Sequence, residues 1–400
     1  MNELAEFKSV SADLGQLAAM SAALESYAEL LNGNEAVLAD SRIGRAIQLG
    51  MESIDPTLDI KEGTDITLRA IKEGIKTAAK ATWAAIKYLF EVISSMYVKF
   101  TGSLSKVRGH AKGTAKALGK LGNKVSYKKM TISGTNRLSV NGTFVGDNLS
   151  TLEDIKAITD YLLNDYPKTV TQVARFCNRE FMNIVEDSSK TSNAEVAAEA
   201  ITAFAMMLSR TMQLPKGGTK ADPRELPSIF KDADEVSRSK VLPGNYALVY
   251  TDPRSLVHRI RGQQTGNYAH LISQAFTIRF TELALNTAER TDRQVDVPSV
   301  QVLTQLVSGI SNILDIAEKG QDGRRDFDVV KITVDDTIRQ IAERSKNVSN
   351  ANNVLLHMLG AISQKLAEPM GNFTHWLAVT LNIYLTYIDH CIRHYREEGV

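Results

Sequence analysis

From Val92 to Gly146 the chain contains no aspartate or glutamate, a gap of fifty-five residues in a sequence whose overall charge is only +1. Cysteine is almost as scarce. Cys177 and Cys391 are the only two, too few for a disulfide framework, so synthesis in a reducing cytoplasm is expected. Aromatic residues make up 6% of the chain, which favours helices over a sandwich or barrel. Long apolar runs are missing too. Trp376 to Ile388 is the longest uncharged one near the C-terminus, short of the roughly 18 residues a spanning helix needs. Trp83 to Val98 is interrupted by Lys87 and Glu91. Glu3, Glu6 and Lys8 stand where the apolar core of a secretory signal would lie, so a soluble protein is expected.

What is present is segregated charge. Residues 1–65 hold twelve acidic residues against four basic ones, whereas residues 66–146 hold fifteen basic residues against Glu73 and Glu91 alone. Lysine then recurs at every fourth position, at Lys112, Lys116, Lys120, Lys124 and Lys128, with Arg108 one step earlier. Four residues advance a helix by about 400°, so the row is expected to wrap around a helix rather than line one edge. Ala111, Ala115, Leu118, Leu121 and Val125 offer only a thin apolar stripe. Gly109, Gly113, Gly119 and Gly122 each cost about 1 kcal/mol of helix propensity. The segment reads as frayed alone and ordered by something anionic.

Periodicity predicts a mainly α fold, a multi-helix assembly with a small β-hairpin element near 128–147. Helices are expected at 4–31, 64–101, 150–166, 168–186, 193–212, 266–290, 299–319, 329–346, 352–367 and 371–396. In 64–101, Ile86, Phe90, Ile93, Tyr97 and Phe100 recur at steps of three or four. Ser150 with Glu153 reads as a capping box, and Pro167 as the end of that helix. Asn141-Gly142 between alternating runs predicts a two-residue turn joining strands near 137–140 and 143–146. A further strand is expected at Tyr246 to Tyr250. The chain divides into an acidic helical leader (1–55), an amphipathic and basic helical segment (56–127), a hairpin with helices (128–214), a polar linker (215–245) and a C-terminal helical domain (246–400).

Gly113 through Lys120 imitates a phosphate-binding loop, but five residues separate its glycines where the motif needs four. Leu121 also stands where Ser or Thr would meet magnesium. His390 and His394 lie one helical turn apart beside Asp389 and Cys391. Two histidines alone do not close a zinc site, and cationic side chains suit a helix end for its dipole alone. No Gly-x-Ser-x-Gly elbow, His-Glu-x-x-His or Cys-x-x-Cys pair occurs, so neither catalysis nor a metal or cofactor is expected. The Trp83, Phe90, Tyr97 and Phe100 stripe suits either a membrane surface or another helix of the same protein, and the second use is commoner. For the acid-free window a polyanion is the expected partner, since neutralising phosphates needs no base-reading geometry. Without a helix-turn-helix or zinc finger, such binding is expected to be non-specific. The expected contacts are Lys106, Arg108, Lys112, Lys116, Lys120, Lys124, Lys128 and Lys129.

The order of features carries a resemblance. An Ala-rich acidic leader contains Leu24-Glu25-Ser26-Tyr27-Ala28-Glu29-Leu30-Leu31, followed by a polar break and Leu49-Gly-Met-Glu-Ser-Ile54. A lysine-rich helix follows, from Ala70-Ile-Lys-Glu-Gly-Ile75 through Trp83-Ala-Ala-Ile-Lys-Tyr-Leu-Phe90, then a basic tail and the hairpin Leu138-Ser-Val-Asn-Gly142. The chain closes on Glu368-Pro-Met-Gly-Asn-Phe-Thr-His-Trp-Leu377 and Tyr384-Leu-Thr-Tyr-Ile-Asp-His-Cys-Ile-Arg-His-Tyr395. This resembles the internal head, or inner-core, virion proteins of large tailed bacteriophages. The resemblance implies a structural protein made in the host cytoplasm and packed inside the head, lying against packaged double-stranded DNA and against capsid or inner-core proteins, and ejected with the genome. It also implies trimming by the phage maturation protease, which cuts after glutamate with a small or apolar residue two positions earlier. Glu25, Glu35 and Glu52 fit that pattern. Residues 1–52 hold eight acidic and three basic residues, so a cut after Glu52 would leave a more cationic product. The rival expectation is an ejected membrane-acting or host-directed effector that uses residues 64–125 as an amphipathic insert.

Overall fold

The computed structural model describes residues 5–14, 16–17, 36–37, 66–122, 124–126, 128–133, 135–186, 193–211, 218–230, 235–252, 277–286, 293–320, 322–344 and 351–397. Its helices are α1 (5–14 and 16–17), α2 (Leu68–Gly119), α3 (Leu149–Asp160), α4 (Tyr166–Glu186), α5 (Asn193–Thr211), α6 (Val300–Lys319), α7 (Asp322–Arg344) and α8 (Ala351–Glu397). The strands are short: β1 (Ala36–Val37), β2 (Ile66–Thr67), β3 (Lys129–Ile132), β4 (Ser139–Val140), β5 (Thr143–Phe144), β6 (Thr219–Lys220), β7 (Val236–Arg238), β8 (Tyr246–Thr251), β9 (Ile278–Glu282) and β10 (Arg293–Asp296). The mainly α expectation holds.

Two long helices organise the molecule. On α2, Ile86, Leu89, Phe90, Ile93, Tyr97, Phe100, Leu104, Val107, Ala111, Thr114 and Leu118 are all buried. These fall at steps of three or four without a gap, so the stripe expected to stop near 101 runs on and makes one helix of 52 residues. Ala115 and Val125, expected inside, are exposed; Thr114 is buried instead. α8 lies alongside. Gly360 sits beside Thr82 and Ile86, Tyr97 beside Met370, and His110 beside Asn382 and Asp389. Residue numbers rise together on both helices, so the pair is parallel. α1 crosses this seam the other way, with Leu14 next to Gly360 and Phe7 next to Gly371.

One hydrophobic cluster draws on every region, from Phe7 on α1 through Tyr166 and Phe204 to Leu314 on α6 and Tyr395 on α8. α8 was expected as two helices separated at Pro369. It continues through the proline because its flanks, Leu366, Ala367, Met370 and Phe373, are buried, and that burial outweighs one lost backbone hydrogen bond. The Tyr166 hydroxyl donates to the Leu366 carbonyl at 2.7 Å just before the proline. Pro167 likewise ends nothing. A π turn at Tyr161–Asp165 precedes it, and the wider turn accommodates the ring as the helix resumes. The cap of α3 is Asn148, whose side chain accepts from the Ser150 N–H at 2.9 Å, rather than Ser150 itself.

The hairpin forms as expected: β4 pairs with β5 antiparallel, and Asn141 (φ 48°) and Gly142 (φ 78°) both take positive φ. β3 finds a distant partner, pairing with β10 so that Lys129 faces Asp296. Residues 215–245, expected as a linker, instead supply β6 and β7 to an antiparallel sheet ordered β6-β7-β8-β9. A small core of Ala221, Leu226, Phe230, Val236, Ala247, Val249 and Leu283 sits beneath it, which the polar composition concealed. β9 occupies part of the helix expected at 266–290, because Ile278 and Phe280 alternate inward. It is tied to α8 by a buried ionic cluster. Arg279 Nη2 and Lys365 Nζ lie 3.0 and 3.4 Å from Glu368 Oε1, with Lys365 and Glu368 only 3% and 4% exposed.

Candidate nucleic-acid interface

The cations of α2 divide into two sets. In the upstream half Lys87 is engaged by α7. Lys87 Nζ lies 3.3 Å from Asp335 and 4.5 Å above the Trp83 ring, whose indole N–H donates to Asp335 at 3.2 Å. Lys331 returns the favour, 3.4 Å from Glu91. In the downstream half Lys106, Lys112 and Lys116 are exposed, as is Lys120 in the turn after the helix. None of these four has an ion pair among the described residues.

Their arrangement is not the expected wrap. The helix ends at Gly119, and Leu118–Leu121 closes as a turn before Gly122 enters the left-handed region at φ 67°, so the four-residue beat runs past the helix. At about 100° per residue, Lys99 and Lys106 fall on one edge of the solvent face and Lys112 and Lys116 on the other, roughly 100° away. Gly102, Gly109 and Gly113 lie between them, and a Cβ added at any would meet nothing within 4 Å. The result is a smooth track bordered by ammonium groups. In the sequence Gly109 and Gly113 counted only as a helix cost, and Gly102 and Lys99 were missed; the shared face of the three glycines was the available signal.

Two basic residues of this half face inward. Arg108 donates to Glu318 at 2.5 Å and to Asp315 at 2.8 Å, both on α6. Hydrogen bonding to Asp315 is the main reason its already high pKa rises further, with Glu318 adding to it against burial. His110 Nε2 lies 2.7 Å from Asp389 and Nδ1 3.0 Å from Asn382 Oδ1 on α8. Thr114 donates to the other Asp389 oxygen at 2.9 Å. Burial opposes charge on His110, but the hydrogen bonds to Asp389 and Asn382 and the Asp389 charge outweigh it, so its pKa is raised. With oxygens facing both nitrogens, the ring is suited to its protonated form.

Beyond the helix the chain is held by backbone contacts. The Lys124 carbonyl accepts from Val300 N–H at 3.1 Å, and the Ser126 N–H donates to the Tyr395 hydroxyl at 3.0 Å. Lys124 is half-buried, while Lys128 and Lys129 are exposed on the far side of this connection. Of the eight expected contacts, then, Lys106, Lys112 and Lys116 share the solvent face of α2, and Lys120 is exposed in the turn that follows it. Arg108 is turned to α6, and Lys124, Lys128 and Lys129 form a separate group.

The aromatic stripe is occupied internally. Phe90, Tyr97 and Phe100 are buried and Trp83 is half-buried against α7. Of the described helices, α6 alone is long and apolar enough to cross a membrane, and its apolar side, including Leu303, Leu306, Ile310 and Ile313, is buried in the core. No three His, Cys, Asp or Glu side chains among the described residues converge as a metal site would. His390 is largely exposed, and partial loss of solvent and the Arg393 charge lower its pKa despite Asp389. A cavity of about 330 Å³ between the hairpin and α8, lined by Arg137, Tyr246, Glu282, Asn372, His375 and Trp376, holds no evident nucleophile–base pair. Glu25, Glu35 and Glu52 lie outside the described residues.

Neither the curated proteins nor the solved structures contain a match to this chain. A family profile does, and it covers residues 2–390. That span takes in the acidic leader, the two long helices and the lysine-bordered track, and by it the chain belongs to the phiKZ-like phage internal head proteins, which reside inside the phage head.

Proposed function

We propose that this structural head protein lies against packaged double-stranded DNA and neutralises phosphates through the track on α2. The observation that carries this is the pairing contrast within one helix and the turn that ends it. Lys87 and Arg108 have carboxylate partners, whereas Lys106, Lys112, Lys116 and Lys120 have none among the described residues. A glycine floor lets a phosphate backbone approach the helix closely, and the exposed lysines require no base contact. Binding is therefore non-specific. Capsid or inner-core proteins are its other neighbours, and catalysis, metal and cofactor have no part in it.

The leader is assigned to maturation. A cut after Glu25, Glu35 or Glu52 removes acidic residues and strengthens attraction to DNA once the head has assembled. Virion peptides should then begin at Ser26, Ala36 or Ser53. Abundant peptides from residues 1–25 in mature particles would refute the cut. For the DNA contact the test is a titration of the full chain with duplexes of unrelated sequence. Affinities should be about equal and should fall about 10³- to 10⁵-fold between 50 and 200 mM salt if six to ten phosphates are met. Affinity that ignores salt would exclude it.

A further inference from the structure

The seam between α2 and α8 is covered along one part and open along another. On the covered part α1 buries Phe7, Val10 and Leu14, an i, i+3, i+7 set. It fits because α8 offers glycines there: a Cβ on Gly371 would stand 3.2 Å from the Phe7 ring, and one on Gly360 3.7 Å from Leu14. Past Phe7 and Met96 the seam opens into a groove of about 610 Å³. Its floor is apolar, made by Phe100 and Val107 of α2 and Ala378 and Val379 of α8. Its rim carries Lys99 and Lys106 beside His110 and His375, and no carboxylate lines it among the described residues.

We infer that this open part is a docking groove for an acidic amphipathic helix of a neighbouring head protein. The apolar half of this chemistry is already displayed by the chain itself. α1, which carries Glu6, Lys8 and Asp13 beside its three apolar anchors, seats on the adjoining part of the same seam. A helix laid in such a groove places apolar residues at i, i+3 and i+7 on the floor and its charges at the edge. The rim selects carboxylates at that edge. DNA matches the rim equally well but gains nothing from Phe100, Val107, Ala378 and Val379, so the floor favours the helix. Lys99 and Lys106 border both the groove and the outward track, and the floor is what separates the two uses.

The test uses the full chain and a fluorescein-labelled peptide with Phe, Val and Leu at the α1 spacing and glutamate at its outward positions. Anisotropy should report saturable binding at low salt. Ala378→Glu, which puts charge on the floor, should weaken it about tenfold or more while lowering duplex affinity by no more than about threefold. Lys106→Glu, at an exposed position that does not threaten folding, should weaken the peptide similarly, and a peptide with lysine in place of glutamate should recover binding to that variant. Absence of peptide binding, or equal binding by wild type and both variants, would overturn the assignment. So would Ala378→Glu weakening the duplex and sparing the peptide, which would make the groove a nucleic-acid surface.

Discussion

The upstream and downstream halves of α2 bury the same kind of stripe and carry similar numbers of cations, yet they present different surfaces. Upstream, α7 runs alongside with Asp328 and Asp335, which answer three polar groups of α2: Ser94 is met by Asp328, and Lys87 and Trp83 by Asp335. Downstream, α6 offers Asp315 and Glu318, and Arg108 takes both. Lys106, Lys112 and Lys116 lie beyond its reach and stay with solvent. Whether a cation is a structural partner or a free ligand is decided by which helix the fold brings beside it, and composition carries no trace of that.

The contrast breaks most visibly if the free set is removed. Replacing Lys106, Lys112, Lys116 and Lys120 with Gln should lower the salt slope of DNA binding by up to about 3.6, a loss near 10³-fold at about 0.1 M salt. Lys87→Gln should leave slope and affinity unchanged. An unaltered slope in the fourfold variant would show that these side chains do not meet phosphates.

Next in size is the extreme of the paired class. Glu368→Gln strands Lys365 and Arg279 at a buried position and should cost about 3–5 kcal/mol in urea unfolding. Lys112→Gln, at the free extreme, should stay within about 0.5 kcal/mol. Similar losses for the two would erase the distinction.

A smaller effect sharpens the border between the classes. Arg108→Ala leaves Asp315 and Glu318 unneutralised near the track, so duplex affinity should fall by roughly threefold through repulsion across solvent. The salt slope should barely change, since no phosphate contact is lost; a drop near 0.9 would mean that Arg108 itself meets a phosphate.

The smallest expected effect is the pH response of the α2–α8 link. The folded pKa of His110 is raised, so its stabilisation is complete below the unfolded value of about 6.5 and is lost as pH rises through the folded one. His390 has the opposite sign: its pKa is lowered, so its contribution is present above about 6.5 and lost as pH falls. His110→Gln should therefore lower the urea midpoint below about pH 6.5 and abolish the decline above it. Identical profiles would show that the Asp389 contact does not hold the proton.

Local signals in the sequence were trustworthy where one segment decides its own structure. The stripe from Ile86 to Phe100, the Asn141-Gly142 turn and the start of α6 at Ser299, whose hydroxyl accepts from the Val302 N–H, are of this kind. Failures came where a distant neighbour overrules the local signal. Pro369 stays helical under buried flanks, and Ile278 to Glu282 becomes a strand because β8 is there to pair with it. The same divides the site. Exposure of Lys106 and Lys112 was foreseeable from the thin apolar stripe, whereas capture of Arg108 depended on a carboxylate pair two hundred residues away.

The parallel union of α2 with α8 has a consequence for biosynthesis. Tyr97 and Met370 are 273 residues apart, and Trp83 and Asp335 are 252, so the stripe of α2 finds its cover only through long loop closures. At the usual pace of translation α8 follows α2 out of the ribosome by on the order of ten to fifty seconds. For that interval a row of aromatic and aliphatic side chains faces water beside a dense set of cations. Such a nascent chain calls for a chaperone or a co-assembling partner to shield it, long before any head is built.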